Sequence, residues 1–178
     1  MTLNSDPRAL DGDLVTFHLA GETLAAPTAQ LREVLEPGAM TRVPGAPDFV
    51  AGLINVRGAV VPLADLRVPL RMPRATGGIA ARVLVLDLDL EDQRSIVGIL
   101  ADSVHEVTRI PPESIERIPP VGSRWPPRYV AAVGRWSGRF VTIPDLSTIF
   151  GDFLIGRTAQ PERPGATSAG STPQPEHA

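Results

Sequence analysis

Residues 49–70 read FVAGLINVRGAVVPLADLRVPL, two apolar runs separated by one Arg-Gly pair. Ala51 to Val56 has Asn55 as its only polar side chain, and Ala59 to Leu66 has only Asp65. Gly58 tolerates the positive φ that tight hairpins need, so the chain can reverse at Arg57-Gly58. The stretch predicts two strands joined by a short turn. Pro62 donates no ladder bond, which predicts that the second strand is an edge or breaks there. Arg57 is the odd member, a permanently charged fork at the tip of an otherwise apolar hairpin. An isolated hairpin is not stable in water, so the remaining chain must supply its partners.

On the N-terminal side, Asp13 to Leu19 alternates Val15, Phe17 and Leu19 against Thr16 and His18, the pattern of a half-buried strand. Ala20 to Glu22 turns it, and Thr23 to Ala26 returns. Pro27 suits the first turn of a helix, and Leu31, Val34 and Leu35 recur at helical spacing, so a short helix is predicted at about 28–35. On the C-terminal side, Val83 to Leu90 and Ser95 to Leu100 read as a second hairpin around Glu91 to Arg94. Tyr129 to Trp136 and Arg139 to Ile143 form a third, around Ser137-Gly138, and Asp145 to Phe150 reads as a short helical turn. Prolines punctuate 111–127, and after Gly156 the composition turns to Pro, Gly, Ser, Thr and Ala with no apolar period. Residues 1–12 are therefore expected to be loose, 13–156 folded, and 157–178 a disordered tail.

A repeat runs through the folded part. Gly58, Val61, Leu63, Asp65 and Leu66 map onto Gly138, Val141, Ile143, Asp145 and Leu146 at an offset of 80. Leu31 to Val34 resembles Val104 to Val107 at an offset of 73, and Arg42 to Pro44 resembles Arg117 to Pro119 at 75. Two copies follow, at about 13–72 and 82–150. Each holds too few strands for a sandwich and suits a small barrel of about five. The expected fold is mainly β, two small barrels packed together.

Composition bounds the function. Hydrophobic content of 43% and charged content of 21% fit an ordinary globule, and a net charge of −3 gives no electrostatic case for nucleic acid or membrane. All 17 basic residues are arginine. Without cysteine there is no disulfide, thiol nucleophile or thiolate metal site. No apolar run reaches the ~18 residues of a membrane span, and the start MTLNSDPRALDGD lacks a signal-peptide pattern, so a soluble, cytoplasmic protein is expected.

With the hairpin and the repeat in hand, VPGAPDFVAGLINVRGAVVPLADLR at 43–67 resembles the signature of the CheW family of chemotaxis coupling proteins. LREV at 31–34, GILADSVHEV at 98–107 and GRFVTIPDL at 138–146 follow in the family's order, so the resemblance covers roughly residues 13–150. It implies two SH3-like five-stranded barrels related by pseudo-symmetry, with strands able to cross between them. It also implies a scaffold without catalytic activity or cofactor, bridging the cytoplasmic tips of chemoreceptors to the regulatory domain of a CheA-type histidine kinase. By position, Glu33 and Arg57 resemble the family's charged pair beside a receptor-facing groove, with Leu31, Val34 and Asn55 completing its lining.

The other residues receive plainer readings. Gly52, Gly58, Pro62, Asp65, Gly138 and Asp145 are expected to shape hairpins and turns, with Asp65 and Asp145 capping the turns that follow. Asp87, Asp89, Glu91 and Asp92 form an acidic run but lack EF-hand glycine spacing, and His18 and His105 lack cysteine partners, so no metal site is expected. No serine sits in a G-x-S-x-G setting. The rival class rests on Trp125, Tyr129 and Trp136 near Arg124, Arg128 and Arg135, since small barrels use such surfaces to bind single-stranded nucleic acid.

Overall fold

The computed structural model describes residues 10, 12–74, 78–116 and 125–155. The expected tail at 157–178 and the repeat match at 117–119 lie outside them. Twelve strands are present among the described residues: β1 (Leu14–Leu19), β2 (Glu22–Pro27), β3 (Leu31–Leu35), β4 (Met40–Thr41), β5 (Val50–Val56), β6 (Ala59–Ala64), β7 (Arg82–Leu90), β8 (Gln93–Ala101), β9 (Ser103–Thr108), β10 (Ile115–Glu116), β11 (Val130–Trp136) and β12 (Arg139–Pro144). A short helix, α1 (Leu146–Phe150), runs on into a π-helical turn at Gly151–Ile155. Asp145 caps α1, its side chain accepting from the Thr148 N–H at 3.0 Å.

Two six-stranded sheets result, in the orders β3-β7-β8-β6-β5-β4 and β9-β1-β2-β12-β11-β10. Advancing every strand of the first by six, with β7 and β8 becoming β1 and β2, reproduces the second. The internal repeat is thus a structural one, and each half lends its opening hairpin to the other half's sheet. The sheets therefore do not divide the chain at 72–82, since β1 and β2 sit with β9 to β12. Setting aside the two-residue strands β4 and β10, each sheet has five main strands, the composition of two SH3-like barrels, although neither is closed by a hydrogen-bonded ladder.

Burial follows this plan. Leu14, Ala25, Ile110, Ala132, Val141 and Ile143 form the interior of one barrel, and Ile54, Val56, Val61, Leu63, Val83 and Val85 that of the other. The largest core lies between the sheets and takes Phe17 and Leu24 from one, Leu84, Leu86 and Ile99 from the other, with Phe49, Leu66 and Phe150. Strand β7 faces both cores, which is why its sequence is apolar at nearly every position.

Four hairpins turn on two residues with positive φ, as type I′ turns require: Ala20-Gly21 (51° and 81°), Arg57-Gly58 (52° and 85°), Glu91-Asp92 (48° and 63°) and Ser137-Gly138 (49° and 75°). Gly58 and Gly138 relieve one of the two strained positions each, and the Asn55 side chain accepts from the Gly58 N–H at 2.9 Å. Gly52 serves close approach instead. A Cβ there would lie 2.8 Å from the Thr41 carbonyl oxygen, so only glycine lets β4 pair with β5.

Two expectations from sequence are corrected. Residues 28–35 are not a helix: Thr28–Gln30 is a single 3₁₀ turn and Leu31–Leu35 is strand β3. The register against β7 shifts between Leu31 and Glu33. This bulge puts Leu31 and Val34, opposite Leu86 and Leu84, on one face and turns Glu33 to the other, opposite Val85. A three-residue apolar spacing on one face is what a helix also produces, so periodicity alone misread it. Nor is β6 an edge strand or broken at Pro62. It lies between β5 and β8 and runs on to Ala64. Its parallel pairing with β8 is at Leu63 and Ala64, beyond the residue that lacks an N–H.

One buried charge went unnoticed in the sequence. Arg67 is 1% exposed, its Nη1 donating to Asp65 at 3.0 Å and its Nη2 to Asp102. Asp102 is the single residue between β8 and β9, where the chain leaves one sheet for the other. Its N–H donates to the His18 carbonyl at 2.9 Å, and its carboxylate accepts from the Ala20 N–H at 2.7 Å. Arg67 thereby ties the end of β6 to the crossover and to the β1–β2 turn.

Candidate functional site

The β5–β6 turn lifts Arg57 out of the sheet, and its guanidinium meets Glu33 of β3 through three contacts, Nε to Oε1 at 3.0 Å and to Oε2 at 3.3 Å, and Nη2 to Oε2 at 3.1 Å. The pair spans from an edge strand to the tip of a hairpin three places along the same sheet. Arg57 is 82% exposed in its side chain and Glu33 21%. The hydrogen bond from Arg57 holds the Glu33 carboxyl below the usual carboxylate range, and Glu33 raises Arg57 in return. The interaction is therefore present above the ordinary carboxylate value and lost as pH falls through the lowered one. At this exposure solvent screens it, and it contributes little to stability.

Leu31 and Val34 occupy the opposite face of β3, the one turned toward the inter-sheet core. Leu31 packs on that core while Val34 stays 39% exposed at its rim. The repeat supplies a second copy that sequence inspection did not assign to the site. In β9 a register shift between Val15 and Phe17 of β1 sets Val104 and Val107 on the core-facing side, with Val107 57% exposed. The offset of 73 between the two segments was the available signal. Beyond the Glu33–Arg57 pair, a pocket of about 230 Å³ is lined by Leu35, Glu36, Gly38, Ala39, Ile54, Asn55 and Val83. Gly52, Pro62, Asp65, Gly138 and Asp145 lie in hairpins and turns, apart from this surface.

The other candidate chemistries are not assembled. Asp87 accepts two hydrogen bonds from Arg94, at 3.2 and 2.9 Å, with Arg32 at 3.8 Å, so arginine occupies the acidic run where a cation would sit. Among the described residues no group of three or more metal-ligating side chains is present. Trp125 and Tyr129 are buried in the inter-sheet core and Trp136 packs on a barrel interior, so these rings form no open stacking platform. Arg124 lies outside the described residues.

His18 and His105, distant in sequence, meet across β1 and β9 with ring centroids 4.1 Å apart, and Ser103 Oγ lies 3.1 Å from His105 Nε2. No carboxylate hydrogen-bonds His105 among the described residues, so the third member of a catalytic triad is missing. Burial, followed by His105 and Arg139, holds His18 below its ordinary value of 6.5, with Asp102 pulling the other way. A neutral His18 is favoured by folding, so stability is full above about pH 6.5 and falls as pH drops toward the lowered value. Melting temperatures measured from about pH 7.5 to 5.5 should fall more steeply in the wild type than in His18→Gln. Parallel slopes would remove His18 from the acid response.

Comparison with known proteins places this geometry in a family. The chain is 30% identical over 129 residues to the chemotaxis protein CheW of Helicobacter pylori, covering 72% of this chain and 75% of that protein. It is 25% identical over 138 residues to the chemotaxis protein CheW of Rhizobium meliloti, covering 78% and 86%. The scaffolding protein TtCheW of Thermoanaerobacter tengcongensis superimposes with a TM-score of 0.72 at 26% identity, over 82% of this chain and 93% of that one. The family model described as the CheW-like domain matches residues 13–153, which takes in both barrels, the exchanged strands and the Glu33–Arg57 pair. This chain belongs to the CheW-like domain family.

Proposed function

We propose that this protein is a non-enzymatic, cytoplasmic adaptor that couples the cytoplasmic tips of chemoreceptors to a CheA-type histidine kinase. Its membership of the CheW-like family and the scaffold and chemotaxis names of its relatives support an adaptor role in chemotaxis. The observation that carries the finer reading is the Glu33–Arg57 pair, with Arg57 held out on a strained turn and the exposed Val34 on the other face of the same edge strand. An edge strand that carries an open apolar side chain on one face and a charged pair on the other suits a helix laid along that edge, Val34 anchoring it and the charged pair setting its orientation. Asn55 holds the turn that presents Arg57. Coupling then consists of holding receptor and kinase at once, so that the receptor's conformational bias reaches the kinase through a rigid body.

The test is binding of the purified protein to a receptor cytoplasmic-hairpin fragment and, separately, to the regulatory domain of the kinase from the same cell. Wild type should bind both. Arg57→Glu should lose the receptor fragment, keep the kinase domain and leave the melting temperature nearly unchanged, because the ion pair is solvent-screened. Arg57→Gly removes the same charge while relieving the positive φ, so it should lose the receptor without loss of stability. A large fall in melting temperature with Arg57→Glu would make the pair structural, and wild-type binding to neither partner would overturn the adaptor reading.

A further inference from the structure

An adaptor needs a second surface, and the β11–β12 tip differs from its symmetry mate in a way that bears on this. At an offset of 80, Asn55, Val56, Ala59 and Val60 of the first tip become Arg135, Trp136, Arg139 and Phe140. Arg135 and Phe140 are directly opposite in the ladder, and the Arg135 guanidinium lies 4.8 Å from the centre of the Phe140 ring. Phe140 is nonetheless 63% exposed. No acidic residue occurs between Val130 and Pro144, and neither Arg135 nor Arg139 forms an ion pair with any described residue. On a chain of net charge −3, this hairpin tip carries two arginines and no carboxylate of its own beside one open aromatic ring, with Glu22 the acidic residue of the adjoining strand β2.

We propose that the β11–β12 tip is a second protein-docking surface, taking an acidic segment that lays one apolar side chain on Phe140. The inference rests on the adaptor reading and allots this face to the kinase-side partner. The stacked Arg135 limits the ring's freedom while leaving its N–H donors available to carboxylates, and Arg139, opposite Trp136 on the other face of the hairpin, adds positive charge to the same tip. Aromatic and arginine side chains in one small patch are what concentrates binding energy in protein interfaces. Single-stranded nucleic acid fits less well. It stacks successive bases on several open rings, whereas here Phe140 alone is open and Trp136 packs on the barrel interior.

The experiment compares wild type, Arg135→Glu with Arg139→Glu, and Phe140→Thr. The probes are the kinase regulatory domain, the receptor fragment and a 24-nucleotide oligothymidylate, each at low and high salt. Both variants should weaken kinase-domain binding on the order of tenfold or more. Both should leave receptor binding and the melting temperature in place, since all three side chains point to solvent. Wild-type affinity for the kinase domain should also fall as salt rises. Unchanged kinase binding in both folded variants, or loss of the receptor fragment instead, would overturn the proposal while leaving the adaptor reading intact. Tight oligothymidylate binding abolished by the double charge reversal would reassign the surface to nucleic acid. Wild type binding neither protein would overturn both readings together.

Discussion

Arg67→Ala is expected to destabilise the protein by about 3–5 kcal/mol, the cost of removing one partner from a buried ion pair. The substitution leaves Asp65 and Asp102 facing each other in a half-buried site without their shared cation. It also releases the crossover, because Asp102 links Arg67 to the Ala20 N–H and is itself tied to the His18 carbonyl. For a domain of this size ~2–4 °C of melting temperature accompanies each kcal/mol, so the midpoint should fall by roughly 6–20 °C. Arg67→Lys should recover only part of this, since a single ammonium cannot reproduce the two-armed contact. Adding Asp102→Asn to Arg67→Ala should cost less than the sum of the two single changes, because the carboxylate it removes is then an uncompensated charge. A melting temperature within a few degrees of wild type for Arg67→Ala would show that the triad adds nothing to the join.

Phe49→Ala is the second large effect, expected at about 3–5 kcal/mol from lost burial and the cavity left behind. Phe49 is fully buried and stands just before β5, its carbonyl accepting from the Asp65 N–H at 2.9 Å. Its ring meets Phe150 edge-on at 5.1 Å and Phe153 at 5.2 Å, so it helps to seat α1 and the following turn on the inter-sheet core, alongside Leu146, Ile149 and Tyr129. Phe49→Leu keeps most of the volume and should cost under ~1.5 kcal/mol. Hydrogen exchange should show the amides of residues 146–155 losing protection in Phe49→Ala before those of β7 and β8. Uniform loss across the molecule would mean that the C-terminal helix is not a separately released element.

These two residues also separate what sequence makes legible from what it does not. Phe49 lies in a stretch whose apolar pattern, glycine and proline already marked a hairpin, and its burial follows from that pattern. The hairpins at 50–64, 82–101 and 130–144 were readable for the same reason: strand alternation and turn chemistry are local, and two-residue turns at positive φ favour the residues found there. The repeat was readable because the same local signals recur in order. The motif resemblance then named Glu33 and Arg57 as neighbours although 24 positions separate them.

Other features depended on contacts that no local pattern encodes. Arg67 looks like any surface arginine until the fold surrounds it with Asp65 and Asp102, the latter 35 positions away. The bulge in β3 is set by its pairing with β7, and without that partner Leu31 and Val34 carry the spacing of a helix. Pro62 marked an edge only on the assumption of two neighbours along the whole strand, whereas β8 meets β6 only beyond it. His18 and His105 share a cluster because β1 is lent to the sheet that holds β9. By itself the sequence determined the hairpin strands, their turns, the repeat and the charged pair, since each rests on short-range stereochemistry or on a motif carried in the chain. Only the tertiary structure decided the hairpin exchange, the buried Arg67 and the faces of the edge strands, because these arise from long-range pairing, which assigns each side chain to core or solvent.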